Sequence, residues 1–67
     1  MLPIATHRHY KGQLYRLMAR ALHSETQEPL VVYQGLYGDY QVWVRPAALF
    51  DGWVDHEGQR VRRFEPL

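Results

Sequence analysis

Four histidines, His7, His9, His23 and His56, and the carboxylate of Glu25 are the side chains best suited to chemistry near neutral pH. Histidine titrates close to pH 7 and is the commonest metal ligand. His7 and His9 stand two apart, so on a strand both point to one face. His23 and Glu25 repeat that spacing, and with His56 they would complete a nitrogen and oxygen donor set of the kind zinc accepts. No His-x-x-Glu pair and no cysteine anchors the set, however, and nothing in the chain order requires His56 to lie near the others. The expectation is no metal and no cofactor. The histidines are then surface residues, or His9 and His23 bond to turn carbonyls.

Catalysis by His23 and Glu25 as base and acid is the next possibility, since histidine is the usual general base. A hydrolase also needs a nucleophile and a site for the oxyanion. Ser24 and Thr26 flank the pair, but neighbours along an extended chain point to opposite faces. A chain of this length also has little room for a pocket of several hundred Å³. The run His23-Ser24-Glu25-Thr26 is better suited to ordering a loop by bonds from side chains to the backbone. No enzyme and no catalytic residue is expected; a metal-dependent or hydrolytic enzyme using the histidines is the second alternative.

The third constellation is aromatic. Tyr33, Tyr37 and Trp43 fall within eleven residues with Arg45 close behind, and Lys11 or Arg16 can stand nearby. Exposed rings flanked by cations stack on the bases of single-stranded nucleic acid. The same surface receives an extended or proline-rich peptide. The chain has 8 Lys and Arg against 7 Asp and Glu, a net charge of +1. That balance disfavours a strong nucleic-acid binder, whose affinity rests mainly on neutralising phosphates. The leading expectation is therefore a non-enzymatic binding module for a protein or extended peptide, with Tyr33, Tyr37, Trp43 and Arg45 as its face. A weak single-stranded nucleic-acid or RNA module is the first alternative. A possible site lies near His9, Lys11, His23 and Glu25.

These residues must be positioned by strands. The chain reads as short apolar segments separated by turn signals, the pattern of a small all-β barrel or sandwich. His7 to Lys11, Leu14 to His23, Leu30 to Tyr37 and Val42 to Arg45 are the predicted strands. In the second, Tyr15, Leu17, Ala19 and Ala21 share one face. Pro46 starts a helical turn that runs to Phe50, which plugs one end of the core. Trp53-Val54 and Val61 to Phe64 form a closing hairpin across Asp55 to Gln59, with Trp53 more buried than Trp43.

The register of the central hairpin decides the aromatic face. A three-residue loop, Gly38 to Tyr40, sets Tyr37 opposite Gln41 and puts Leu30, Val32, Leu36, Val42 and Val44 on one face. Tyr33, Tyr37, Gln41, Trp43 and Arg45 take the other. A two-residue loop exchanges the faces of one strand relative to its partner. The first arrangement keeps the aliphatics together and makes the rings an outer, partly wet surface. The opposing possibility is that the rings pack beneath the N-terminal segment or the closing hairpin, since aromatics dominate small cores.

With 67 residues the chain makes one domain, 1–67, near the size at which a single core is marginal. The absence of cysteine removes disulfides and thiolate metal sites. The start, Met-Leu-Pro-Ile-Ala-Thr, lacks the basic residues of a signal peptide. No apolar run approaches the roughly 20 residues that span a bilayer. The expected location is the cytoplasm, without a membrane partner.

One ordered pattern runs almost the whole length. His9-Tyr10-Lys11-Gly12, Tyr15, His23-Ser24-Glu25-Thr26, Val31-Val32-Tyr33, Leu36-Tyr37-Gly38, Trp43-Val44-Arg45-Pro46, Phe50 and Arg63-Phe64 occur in that order. It resembles a family of small bacterial domains of unknown function, numbered sixteen fifty-three, from His7 to Phe64. Each tetrapeptide alone is weak; the ordered set is specific. The resemblance implies a small SH3-like β-barrel of about five strands and implies no activity. Arg62 stands where the family often has proline, which makes that edge more basic. SH3-like folds serve many binding functions, so fold alone does not choose among them.

Overall fold

β-branched and aromatic residues suit a pleated, half-buried surface, and the computed structural model of residues 4–67 is built mainly of strands. Residues 1–3, part of the N-terminal run read above as lacking a leader's basic start, lie outside the described residues. The elements are β1 (His7–His9), β2 (Leu14–Leu22), β3 (Pro29–Gly35), β4 (Val42–Pro46), α1 (Ala47–Phe50), β5 (Trp53–His56), β6 (Gln59–Arg62) and β7 (Phe64–Pro66). One five-stranded antiparallel sheet has the order β4-β3-β2-β1-β7, and a second, two-stranded sheet pairs β5 with β6. Among the described residues no helix is long and apolar enough to cross a membrane.

The domain is all-β with its helical turn where Pro46 predicts it. Two features differ from expectation: the described residues form seven strands rather than about five, and these do not close into a barrel, because β4 and β7 remain the edges of the sheet. The extra strand arises at Arg63. Its N–H donates to the Gly52 carbonyl and its own carbonyl accepts from Tyr10 N–H, both at 3.0 Å. The chain there leaves the β5–β6 ladder and joins β1, so Val61 to Phe64 is two strands and not one. The closing hairpin is also tighter than the predicted Asp55–Gln59 connection. Glu57 and Gly58 take φ of 51° and 77°, as the mirror-image two-residue turns of hairpins require. His56 and Gln59 therefore pair directly.

In the central hairpin Tyr33 faces Trp43 and Val31 faces Arg45. The pairing is shifted by two residues from the predicted three-residue loop, so Gly35 N–H rather than Tyr37 meets Gln41, at 3.0 Å from its carbonyl. A shift of two preserves the sharing of faces: the aliphatics lie on one side and the aromatics with Arg45 on the other. Burial is the reverse of expectation. Val31, Tyr33 and Gly35 are buried, whereas Val42 and Val44 are exposed on the opposite side.

The core consists of Tyr15, Val31, Tyr33, Phe50 and Phe64, with Leu17 and Ala47 against it. Four of these five are aromatic, which explains the outcome. Rings bury more area per residue than valines, and Phe50 from α1 stacks on Phe64 with centroids 4.3 Å apart. In β2 the predicted single face breaks at a bulge between Leu17 and Ala19. Tyr15 and Leu17 point inward, but Ala19 and Ala21 lie opposite Val32 and Leu30, and Arg20 swings to the side of Val31. Its guanidinium there grips Asp51, at 3.0 and 3.1 Å.

Candidate functional site

The four predicted face residues separate by depth. Tyr33 is buried against Phe50, Phe64 and Tyr15, with centroids 5.2, 5.3 and 5.7 Å away, so it is a core residue and not part of an outer face. Trp43 stands directly opposite it and shares its side of the sheet. Yet Trp43 is 51% exposed, because β4 is an edge strand and no element folds over it. Tyr37, past the end of β3, is 40% exposed. Its hydroxyl shares a 2.7 Å hydrogen bond with that of Tyr15, and either oxygen can donate.

Gly35 makes room for this arrangement. A Cβ there would lie 2.9 Å from the Tyr37 ring, closer than real contacts allow, so the ring rests on bare backbone. Between Tyr37 and Trp43 opens a cleft of about 230 Å³, lined also by Gly35, Asp39 and Gln41.

Arg45 follows Trp43 on the same face and is half-buried, its guanidinium carbon 5.7 Å from the centre of the Phe64 ring. His9 meets that ring edge-on at 4.9 Å and lies 4.5 Å from Tyr10. Its Nδ1 accepts the Lys11 amide at 3.1 Å, which leaves a proton on Nε2 in the neutral ring. Burial lowers the His9 pKa below the usual histidine value, and the cations Arg45, Arg63 and Lys11 lower it further. Burial pushes the Tyr15 phenol well above its ordinary pKa, assisted by the bond to Tyr37. The Tyr15 hydroxyl therefore remains protonated near neutral pH, able to donate or accept in its bond to Tyr37. The Nε of Arg63 is buried without a hydrogen-bond partner among the described residues.

His23 and Glu25 lie elsewhere, in the connection from β2 to β3. His23 Nδ1 accepts the amides of Glu25 and Thr26 at 3.1 and 3.3 Å, and Thr26 Oγ1 accepts that of Glu28. The run orders its loop, but the histidines take bonds from turn amides and not from carbonyls. His7 and His9 do share a face, and it is the inner one, with His7 5.2 Å from Phe50. They are half-buried core-facing residues and not the surface histidines of the sequence reading. His56 stands against Tyr10 at 5.2 Å. Among the described residues no three His, Cys, Asp or Glu side chains converge.

Sequence reasoning missed Tyr10, Tyr15 and Arg63 as neighbours of Arg45 and His9, because β1, β2 and the β6–β7 break come together only in the sheet. Trp53, expected to be the more buried indole, is 49% exposed against 51% for Trp43, so the two are equally wet to within two points. Arg60 and Arg62 lie over the Trp53 ring, at 5.3 and 5.0 Å. Their recurrence two apart on β6 was the available signal.

The family model described as "Protein of unknown function (DUF1653)" matches residues 5–66. No curated protein matches. Among solved structures, the chain is similar to the crystal structure of a protein belonging to DUF1653 from Bordetella bronchiseptica. The identity is 30% and the TM-score 0.82, over 96% of this chain and 85% of that one.

Proposed function

The chain belongs to the DUF1653 family, and from that premise we propose that it is a non-enzymatic binding module whose partner, a protein or an extended peptide, sits on the Tyr37–Trp43 surface beside Arg45. One observation carries this reading. Two large rings, 40% and 51% exposed, flank a cleft at a sheet edge in a domain whose buried core, among the described residues, has five members. A small fold gains most of its stability from aromatic burial, so leaving these rings wet runs against stability and suits an interaction surface. Interface hot spots are rich in Trp, Tyr and Arg. Among the described residues no three His, Cys, Asp or Glu side chains come together as metal donors.

The first test is a pull-down from the native cell with the parent protein and Trp43→Ala, each with and without nuclease. The expected result is a protein partner that survives nuclease and is lost with Trp43→Ala. Equal capture by both proteins would sink this surface assignment. Trp53 between Arg60 and Arg62 favours a second reading, single-stranded nucleic acid stacked on a cation-flanked ring. That reading predicts capture abolished by nuclease and binding that weakens steeply with salt.

A further inference from the structure

The edge of the sheet beside this surface is open. β4 pairs with β3 on one side, and among the described residues no strand pairs with the other. The ladder pattern says which groups face outward. Gly35 N–H bonds to the Gln41 carbonyl, so by alternation Tyr33–Trp43 and Val31–Arg45 are the pairs whose backbone groups face each other across the hairpin. In an antiparallel ladder the residues between them turn their backbone groups the other way. The N–H and C=O of Val42 and Val44 thus point off the free edge. The Gln41 side-chain amide bonds to the Val42 carbonyl at 3.1 Å, as an oxygen turned away from β3 allows. Pro46 has no N–H and ends the row of donors.

We propose that this edge takes up an extended peptide segment, with an acidic residue opposite Arg45, as a sixth strand antiparallel to β4. The proposal rests on the binding-module reading and specifies how and what the surface binds. A strand added here donates and accepts at Val42 and Val44, as in other β-augmentation complexes. Residues directly opposite share a face. The peptide therefore carries an acidic side chain opposite Arg45, a β-branched one opposite Val44, a large apolar one opposite Trp43 and a second β-branched one opposite Val42. Charge sets the direction. Arg45 has no carboxylate partner among the described residues, whereas Asp39 stands at the other end of the cleft. The acid belongs at the first end and a base at the second. Val42 and Val44, 43% and 60% exposed, offer apolar surface without a charge that would repel an incoming strand, the usual protection of sheet edges. A second copy of the chain is the weaker occupant, since two five-residue strands edge to edge fall short of the roughly 1,200 Å² at which stable interfaces begin.

The probe is a fluorescein-labelled peptide, Ser-Glu-Val-Leu-Val-Ser-Lys, read by anisotropy against the full chain. Three further versions carry N-methyl groups on both valines, an N-methyl group on the leucine only, and Lys in place of Glu. The two valine amides are the ones that face β4. Their methylation is expected to weaken binding about 10- to 30-fold, as for two lost hydrogen bonds, and leucine methylation less than about 3-fold. The Lys version is expected to bind at least about 5-fold more weakly, a preference that Arg45→Gln removes. On binding, the amide protons of Val42 and Val44 gain protection from exchange while those of Trp43 and Arg45, already paired, change little. Binding that needs Trp43 but ignores valine methylation overturns strand addition and leaves the binding-module reading standing. No binding up to about 1 mM peptide, where affinity is near 4 kcal/mol, overturns the proposal. So does sedimentation showing a dimer abolished by Val44→Lys, which gives the edge to a second copy. Displacement of the peptide by an oligo-uridine with a steep salt dependence overturns both readings.

Discussion

Phe50→Ala tests the account of how this domain holds together. Phe50 is 1% exposed, stacked on Phe64 at 4.3 Å and 9°, and touched by the rings of Tyr33 and His7, each at 5.2 Å. Removing a buried phenylalanine ring costs about 3–5 kcal/mol, the loss of transfer free energy plus the cavity left behind. At about 0.05–0.15 kcal/mol per residue, a domain of this size has roughly 3–10 kcal/mol in total. Among the described residues the core has five buried members, and Phe50 is the fully buried one that the four-residue helix supplies, so the upper part of the cost is expected. Phe50→Ala should leave a substantial unfolded fraction at 25 °C. Phe50→Leu, which keeps most of the volume, should remain folded with a loss of about 1–2 kcal/mol, or roughly 5–15 °C in Tm. Urea titration followed by circular dichroism measures both, with the m value checking that the transition is the same. Tryptophan emission is the poorer probe, since both indoles are already half wet. If Phe50→Ala melts within about 4 °C of the parent at an unchanged m value, Phe50 does not close the core and the aromatic stack is not what stabilises the sheet.

Trp43→Ala should cost about 1–2 kcal/mol, because only about half of its area is covered, against about 3 kcal/mol or more for Tyr33→Ala directly opposite; thermal melts of the two variants compare them. Stability should fall as the pH drops below 6.5. Burial lowers the pKa of His7 and of His9 in the folded state, so between those lowered values and 6.5 the unfolded chain binds more protons and is favoured. Urea midpoints at pH 8 and pH 5.5 measure the effect, and a slope unchanged by His9→Gln would remove His9 as a cause. Arg20→Ala should cost no more than about 1 kcal/mol despite the two-pronged contact with Asp51, because both groups are exposed and screened. The double-mutant cycle with Asp51→Ala at low and high salt tests this.

Much of the architecture was legible along the chain because it is local. The apolar segment Leu30 to Tyr37, the φ that Pro46 imposes, and the hairpin turn around Gly38 each concern neighbours in sequence. They suffice for an all-β class, most strand positions and the helical turn ending at Phe50. The ordered pattern from His9 to Phe64 likewise carried the family. Which side of the hairpin would be wet was not local. Face sharing follows from parity, but burial depends on what the rest of the chain brings to each face. The rings of Phe50 and Phe64 arrive against Tyr33 and bury it, while Val42 and Val44 look outward. Trp43 has the same parity as Tyr33 and a different fate, because β3 is interior to the sheet and β4 is its edge. Arg45 and His9, thirty-six positions apart in sequence, meet on one phenylalanine ring only after β7 has joined β1. That meeting depends on the break at Arg63, where two backbone hydrogen bonds reroute the chain, and no side-chain pattern announces them.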